Sequence, residues 1–232
     1  MKKFLIFIAI AGLMSCNMKS GSGNIIEQDR NLSNFTSIKV AGDFEVKVKQ
    51  GNAYSVRIEA DDNLINDIRT VVKNDELVIS YKTNTNLRNS QMTVYVTAPA
   101  LNSLRSSASA EIIAEGTIRS DNSLKLSASS GSTITATVDA PVIEASVSSG
   151  SEMDLKGRTR DLDLEASSGA SANAYELNSE NTVASVSSGA SLDVFASVKL
   201  DASASSGGTI NYKGAATVVK KQSSGGSVSK VN

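Results

Sequence analysis

SVSSGASLDV, residues 185–194, holds no side chain pair that does chemistry, yet near copies of it return along the second half of the chain. The glycines of its Ser-Ser-Gly triplets are Gly131, Gly150, Gly169, Gly189, Gly207 and Gly225, spaced 19, 19, 20, 18 and 18 residues apart. A degenerate copy, Ser107-Ala108-Ser109, lies 22 residues before Gly131 and opens the array. Around each triplet the apolar residues alternate, as a strand with one buried face requires. Leu124, Leu126 and Ala128 precede the first glycine, and Ile134, Ala136 and Val138 follow it. Later units keep the parity with Ile143, Ala145, Val147, Met153 and Leu155, with Leu162, Leu164 and Ala166, and with Val186, Leu192 and Val194. The fifth carries Val198, Leu200, Ala202 and Ala204, then Ile210 and Tyr212.

A unit this short owns no core and buries its apolar face only by stacking on its neighbours. The expected fold is therefore all-β, a parallel β-helix (β-solenoid) with rungs of about 18–20 residues. At roughly 3.3 Å per residue each unit is a loop of about 60 Å, enough for two or three short strands with corners between them. Leucine-rich repeats of similar period need a consensus that is missing, and a propeller blade needs about 40 residues, or two units. Because rungs stack about 4.8 Å apart, every position becomes a column of near copies. Ser-Ser-Gly suits a corner, since glycine accepts positive φ and serine is small enough to stack inside with its hydroxyl bonded. A serine nucleophile is not indicated, because the chain has no histidine and no lysine recurs beside the triplet as a base.

Function is expected on outward columns. Four residues past each glycine stand Thr135, Asp154, Asn173, Asp193 and Asn211, a ladder in which Asp and Asn alternate. It reads as a solvated ladder, or as a row for Ca²⁺ or sugar hydroxyls, although Asp154 and Asp193, about 9.6 Å apart, are too distant to share one ion. Six residues past come Thr137, Lys156, Tyr175, Phe195 and Lys213. Facing solvent, two rings between two lysines form a stacking surface with cationic edges for a sugar, an acidic glycan or a protein. Beyond a corner, the same rings would be packed under a loop or in a subunit contact. The acidic residues Glu144, Asp163 and Asp201 fall down one further column.

The N-terminus sets the compartment. Lys2 and Lys3 precede an apolar run from Phe4 to Met14, too short for a permanent anchor, which reads as a secretory signal. Leu13-Met14-Ser15-Cys16 resembles a bacterial lipobox, in which Cys16 is lipidated and becomes the first mature residue; the alternative is a secreted protein with a chance cysteine. Cys16 is the only cysteine, so no intrachain disulfide forms. The expected organisation is a signal peptide over 1–16, a flexible Gly/Ser tether over 17–24, an irregular β segment or first rungs over 25–105, and the regular solenoid over 106–232. With 23 basic and 24 acidic residues, nucleic acid is not an expected partner.

Residues 25–105 keep the alternation without the triplet: Ile38, Val40, Phe44, Val46 and Val48, then Val56 and Ile58, then Met92, Val94 and Val96. They are first rungs or a sheet on the solenoid's end, and Asp61-Asp62-Asn63 is either a cap for a helical turn or a hairpin loop. In the last unit Lys220 and Gln222 occupy inward positions, with Lys221 and Lys230 beside them, so residues 216–232 read as a closing rung that blunts the open edge.

The run from Arg30 to Val46 (RNLSNFTSIKVAGDFEV), the Gly51 turn, Asp61-Asp62-Asn63-Leu64 and the later Ser-Ser-Gly repeats together resemble the auto-transporter adhesin "head GIN domain" family, common among lipoproteins of Bacteroidota. The resemblance implies a right-handed β-helical domain and a role in adhesion, and carries no catalytic residue set. Two function classes follow. One is a non-enzymatic outer-membrane lipoprotein that binds glycan or protein through a solenoid face; the other is a polysaccharide-degrading β-helix enzyme, which needs gathered carboxylates. Ice binding lacks the repeated threonine pairs it would need. Expected partners are the membrane through the lipid, a glycan or protein ligand and a second copy of the chain, with no cofactor and no metal.

Overall fold

The computed structural model describes residues 18–82, 86–88 and 92–232. Its strands form a parallel β-solenoid with seven consecutive turns from residue 103 onward. Strands that precede the triplet stack in the order 76–80, 37–41, 103–107, 123–128, 142–147, 161–166, 181–186, 199–204 and 217–222, all parallel. Strands that follow it stack alongside as 92–98, 45–50, 111–114, 133–136, 152–155, 171–174, 191–195, 209–213 and 227–230. A third side, at 117–119, 137–140, 156–159 and 176–179, closes the middle rungs.

The triplet makes the sharp corner, and both its last residues are left-handed. Ser130 and Gly131 have φ of 56° and 70°, Ser168 and Gly169 54° and 70°, and Ala108 and Ser109 of the degenerate copy 54° and 67°. Positive φ at both central positions is the signature of a type I′ turn, and its closing bond runs from Ala170 N to Ser167 O (3.2 Å) and from Ala190 N to Ser187 O (3.2 Å). Each corner is also bonded to the next: Gly131, Gly150, Gly169, Gly189 and Gly207 donate to Ser149, Ser168, Ser188, Ser206 and Ser224 O, all at 3.1 Å.

The triplet serines do not stack inside, as the sequence suggested. The second serine is exposed because the turn points it outward, and the buried small residue is the one after the glycine: Ala110, Ser132, Ser151, Ala170 and Ala190. The hydroxyls buried there are satisfied, Ser132 Oγ by Ser106 Oγ (2.9 Å) and Ser151 Oγ by donating to Ala128 O (2.8 Å). The alternating apolar residues fill the interior, with Leu124, Ile134, Leu164, Leu192 and Leu200 fully buried. Val198, counted as inward by parity, is 58% exposed because it lies on the corner leading into strand Lys199–Ala204.

Residues 25–105 combine both expectations and exchange their order. The second rung in sequence, 76–98, packs outside the first, 37–50, so the first is enclosed between it and the rung at 103–119. Antiparallel strands Ile25–Asp29, Ser55–Asp61 and Ile68–Lys73 finish this end. The enclosed rung has no third side, and the Gln50 carboxamide fills the gap: Nε2 donates to Pro99 O and Arg119 O (3.1 Å each) and Oε1 accepts from Arg119 N (2.7 Å). Asp61-Asp62-Asn63 caps no helix, since the 3₁₀ turn Ile65–Asp67 starts from Leu64 without a side-chain cap. At the far end Lys220 reaches across the open rung, donating to Val228 O (3.0 Å) with its ammonium 5.0 Å from the Tyr212 ring centroid, while Gln222 bonds Gly226 O.

A Cβ at Gly169 meets nothing within 4 Å, so a stacking collision there is ruled out and only the positive φ remains. A Cβ at Gly157 (φ +111°) would sit 2.1 Å from Val138 O on the rung below. Gly169→Ala is expected to cost about 1 kcal/mol, the left-handed penalty, and Gly157→Ala about 3 kcal/mol or more, because a backbone collision adds to it. Urea denaturation of the two variants checks this; equal losses would contradict the assignment.

Candidate binding faces

The outward ladder after the triplet is in register. Thr135, Asp154, Asn173, Asp193 and Asn211 are successive Cα partners on adjacent rungs. Alternation of amide and carboxylate lets neighbours bond, as Asn211 Nδ2 donates to Asp193 Oδ1 (2.9 Å); Asn173 Oδ1 instead accepts from the backbone N of Tyr175 on its own strand (3.2 Å). Asp154 Oδ1 is shielded from solvent with no hydrogen-bond partner among the described residues. The ladder borders a shallow hollow of about 370 Å³. Among the described residues no group of three or more Asp, Glu, His or Cys is placed to hold a metal ion.

The mixed column of rings and lysines is broken. Asp154 opposes Asn173 but Lys156 opposes Glu176, so Tyr175 is an extra, bulged residue, and this unit is the one of 20 residues. Lys156 is consequently paired with Glu176 (3.0 Å), whose hydrogen bond and charge raise the lysine's pKa. Phe195 and Lys213 are in register, and Lys213 reaches past the Phe195 rung to place its ammonium 4.6 Å from the Tyr175 ring centroid. Tyr175, Phe195, Lys156 and Lys213 are all half-buried. Burial, and then the adjacent Asp193 carboxylate, push the Tyr175 phenol up to about 12. The structure thus brings Tyr175, Asp193 and Lys213 together, and sets Lys156 apart from them.

The larger concave surface lies on the strands before the triplet. One section of trough, about 660 Å³, is lined by Arg105, Lys125, Ser127, Asp163 and others, and the next, about 490 Å³, by Ser185, Ser187, Ser203 and Lys221 among others. The two sections share Ser146 and Glu165, so the trough runs along the solenoid axis. Its floor is a column of Ser127, Ser146, Glu165, Ser185, Ser203 and Lys221, and its side a column of Lys125, Glu144, Asp163, Val183, Asp201 and Val219. Glu144 and Asp163 are direct neighbours in that side column, with Glu144 bridged to Lys125 (2.9 Å). Val183 and Val219, 47% and 45% exposed, flank Asp201. The signal for this face in the sequence is the serine four places before four of the triplet glycines, at Ser127, Ser146, Ser185 and Ser203, but a small polar residue inside a repeat reads equally well as scaffold.

Over residues 34–216 the sequence matches the family described as "Putative auto-transporter adhesin, head GIN domain". The chain belongs to that family. Crystal structures with the same fold include a "putative adhesin" from Bacteroides fragilis, 20% identical, TM-score 0.84, covering 92% of this chain and 100% of that one. A "putative lipid binding protein" from Parabacteroides distasonis is 19% identical with TM-score 0.75, covering 93% and 100%. A "putative adhesin" from Parabacteroides merdae is 18% identical with TM-score 0.75, covering 93% and 99%. No curated protein sequence matches the chain. Among the described residues of this GIN-domain protein no helix is long and apolar enough to cross a membrane, and Cys16 lies outside the described residues.

Removing the Asp193 anion relieves the penalty on phenolate, so Asp193→Asn is expected to lower the Tyr175 pKa from about 12, while burial keeps it above the ordinary tyrosine value. Ultraviolet titration, with Tyr175→Phe identifying the high-pH component, tests this; an unchanged curve would remove Asp193 from the site.

Proposed function

We propose that this GIN-domain protein is a non-enzymatic cell-envelope lipoprotein that binds a glycan or protein ligand through a face of its solenoid. The observation that carries the reading is the continuous trough before the triplet, an extended concavity whose floor is mainly serine hydroxyls, with Glu165 and Lys221 in the same column, on a rigid, in-register sheet. Hydroxyls both donate and accept, and a row of them along the axis suits a ligand that is itself extended and polar. The charged residues beside the trough are largely engaged with each other, as Lys125 is with Glu144 and Arg105 with Glu76. Polysaccharide cleavage instead needs an acid and a second carboxylate facing each other across a bond, whereas Glu144, Asp163 and Asp201 follow one column, with Val183 between the last two. The family is described as adhesins, which agrees with a binding role.

Anchoring is proposed through Cys16, with the outer membrane as the place and its facing left open. Metabolic labelling with an alkyne fatty acid is expected to mark the wild type and leave Cys16→Ser unmarked; equal labelling would end the lipoprotein reading.

A second wall, the Asp154, Asn173, Asp193 and Asn211 ladder with Tyr175, Phe195, Lys156 and Lys213, is favoured by its half-exposed rings and by the unpaired Asp154 Oδ1. Ser146→Trp with Ser203→Trp fills the trough from outward positions and should leave stability within about 0.5 kcal/mol. On a glycan array and in pull-downs it is expected to reduce binding at least about tenfold, since a blocked pocket loses its central contacts. Loss of binding instead in Tyr175→Ser with Phe195→Ser, the trough variant binding normally, would move the surface to the second wall.

A further inference from the structure

Residues 18–24, expected as a flexible tether, do not hang free of the body. Met18–Ser20 forms a parallel pair with residues 86–88. Residues 22–24 are held by one loop: Asp61 Oδ1 accepts from Gly23 N (2.7 Å), Asp62 accepts from Ser22 Oγ (2.5 Å) and Asn24 Nδ2 (3.0 Å), and Asn63 Oδ1 accepts from Ser22 N (3.2 Å). Asn63 Nδ2 donates back to Ser20 O (2.9 Å), and the Lys19 ammonium bridges to Asp67. Asp61 is only 1% exposed, so the Gly23 amide is taken by a carboxylate at the edge of the core rather than by one on a mobile surface. The donors from Ser22 and Asn24 hold the Asp62 carboxyl below its usual pKa, which agrees with a carboxylate engaged in the grip. Five hydrogen bonds and an ion pair on a Gly/Ser stretch make a strap.

The strap is also at one particular place. The loop 61–63 follows strand Ser55–Asp61, which lies one strand in from the end of its stack, with only Ile25–Asp29 outside it. Cys16 is two residues from the first strapped strand, a span of at most about 7 Å at the full extension of the chain. The headgroup layer on each side of a bilayer is itself only about 5–7 Å deep. A lipid on Cys16 therefore brings this end of the solenoid to the membrane surface, with at most about 7 Å of chain between the lipidated residue and the strap.

We propose that the strap fixes the solenoid end-on to a lipid surface, with strands Ile25–Asp29 and Ile68–Lys73 at the bilayer and the rung 217–230 farthest from it. This rests on lipidation of Cys16. The far rung is eight stacking steps from the rung 76–98, roughly 38 Å at the usual strand spacing, so both solenoid faces stand upright and open to ligands along their length.

The test has two arms. In the first, trypsin cleavage after Lys19 is followed by mass spectrometry on the unlipidated mature chain carrying Cys16→Ser. Asp62→Ala with Asn63→Ala is expected to speed that cut at least about tenfold, because it removes hydrogen bonds to a charged carboxylate and an amide, with an unchanged circular dichroism spectrum. Equal rates would overturn the strap, whatever the state of Cys16. In the second, the lipidated chain is placed in vesicles of phosphatidylethanolamine and phosphatidylglycerol that carry a headgroup-linked acceptor dye. A donor is attached through Lys73→Cys at the near end or Ser229→Cys at the far end, each unique because Cys16 is lipidated. Strong energy transfer at position 73 and little at 229 is expected in the strapped protein, and a smaller difference in the Asp62→Ala, Asn63→Ala variant. Equal transfer from the two positions in the strapped protein would overturn the end-on arrangement. Failure of Cys16 to take up fatty acid sinks the lipoprotein reading and the membrane contact with it, while the cleavage arm still decides the strap.

Discussion

A two-residue left-handed corner governs everything else in this solenoid. An L-residue resists positive φ, and here two consecutive residues hold it at every triplet, one of them a serine. What offsets that strain is repetition: the glycine N–H of each corner donates to the serine carbonyl of the next, so the corners form a hydrogen-bonded column of their own. Once the corner is pinned, the strands on either side must begin in the same register on each rung. In-register parallel strands then place every side chain beside its equivalent about 4.8 Å away. The blandness of the repeat follows from this geometry, since small residues tolerate their own copies above and below. Variation in unit length is absorbed away from the corner, on the third side, where the Tyr175 bulge and the shorter returns of the last rungs occur.

Charge obeys the same column rule. On the third side Asp139 lies directly between Arg119 and Arg158 in register, and the Arg158 guanidinium donates to both carboxylate oxygens at 2.9 and 2.8 Å. Those hydrogen bonds hold the Asp139 carboxyl below its ordinary pKa. The ladder after the triplet solves the same problem differently, by alternating carboxylate with carboxamide. Where carboxylates do lie side by side a cation takes one of them up: Lys125 holds Glu144 beside Asp163, Lys47 holds Glu45 beside Glu111, and Arg57 holds Glu27 opposite Glu59. Like charges opposite one another weaken a sheet, so a stacked fold disperses its carboxylates.

Parity and period were legible in the sequence because both are properties of the backbone path: the inward Leu124, Leu164 and Leu200 and the corner at each triplet follow from counting. What counting misses is any local departure from the path. Tyr175 shares its distance from the triplet with Phe195, yet a bulge lifts it out of their column, and only the 20-residue spacing hinted at that. Val198 keeps inward parity on paper, but a corner turns it out. Ser151 is buried and Ser149 exposed because a turn, unlike a strand, does not alternate. The exchanged order of rungs 37–50 and 76–98 leaves no periodic trace, since either order buries the same residues.

The candidate faces differ in legibility for a related reason. Rings and lysines are the chemically distinctive residues of the repeat, yet they are the ones the fold partly satisfies itself, through Glu176 on Lys156 and Tyr175 under Lys213. Four of the six residues on the trough floor are serines, whose hydroxyls bond locally, as Ser146 Oγ does to Ser127 Oγ (3.1 Å), and can still donate or accept once more toward a ligand. A small polar residue in the repeat therefore serves the scaffold on the side that faces the next rung and leaves hydrogen-bonding capacity on the side that faces water. Composition cannot separate the two, because the same serine presents both sides.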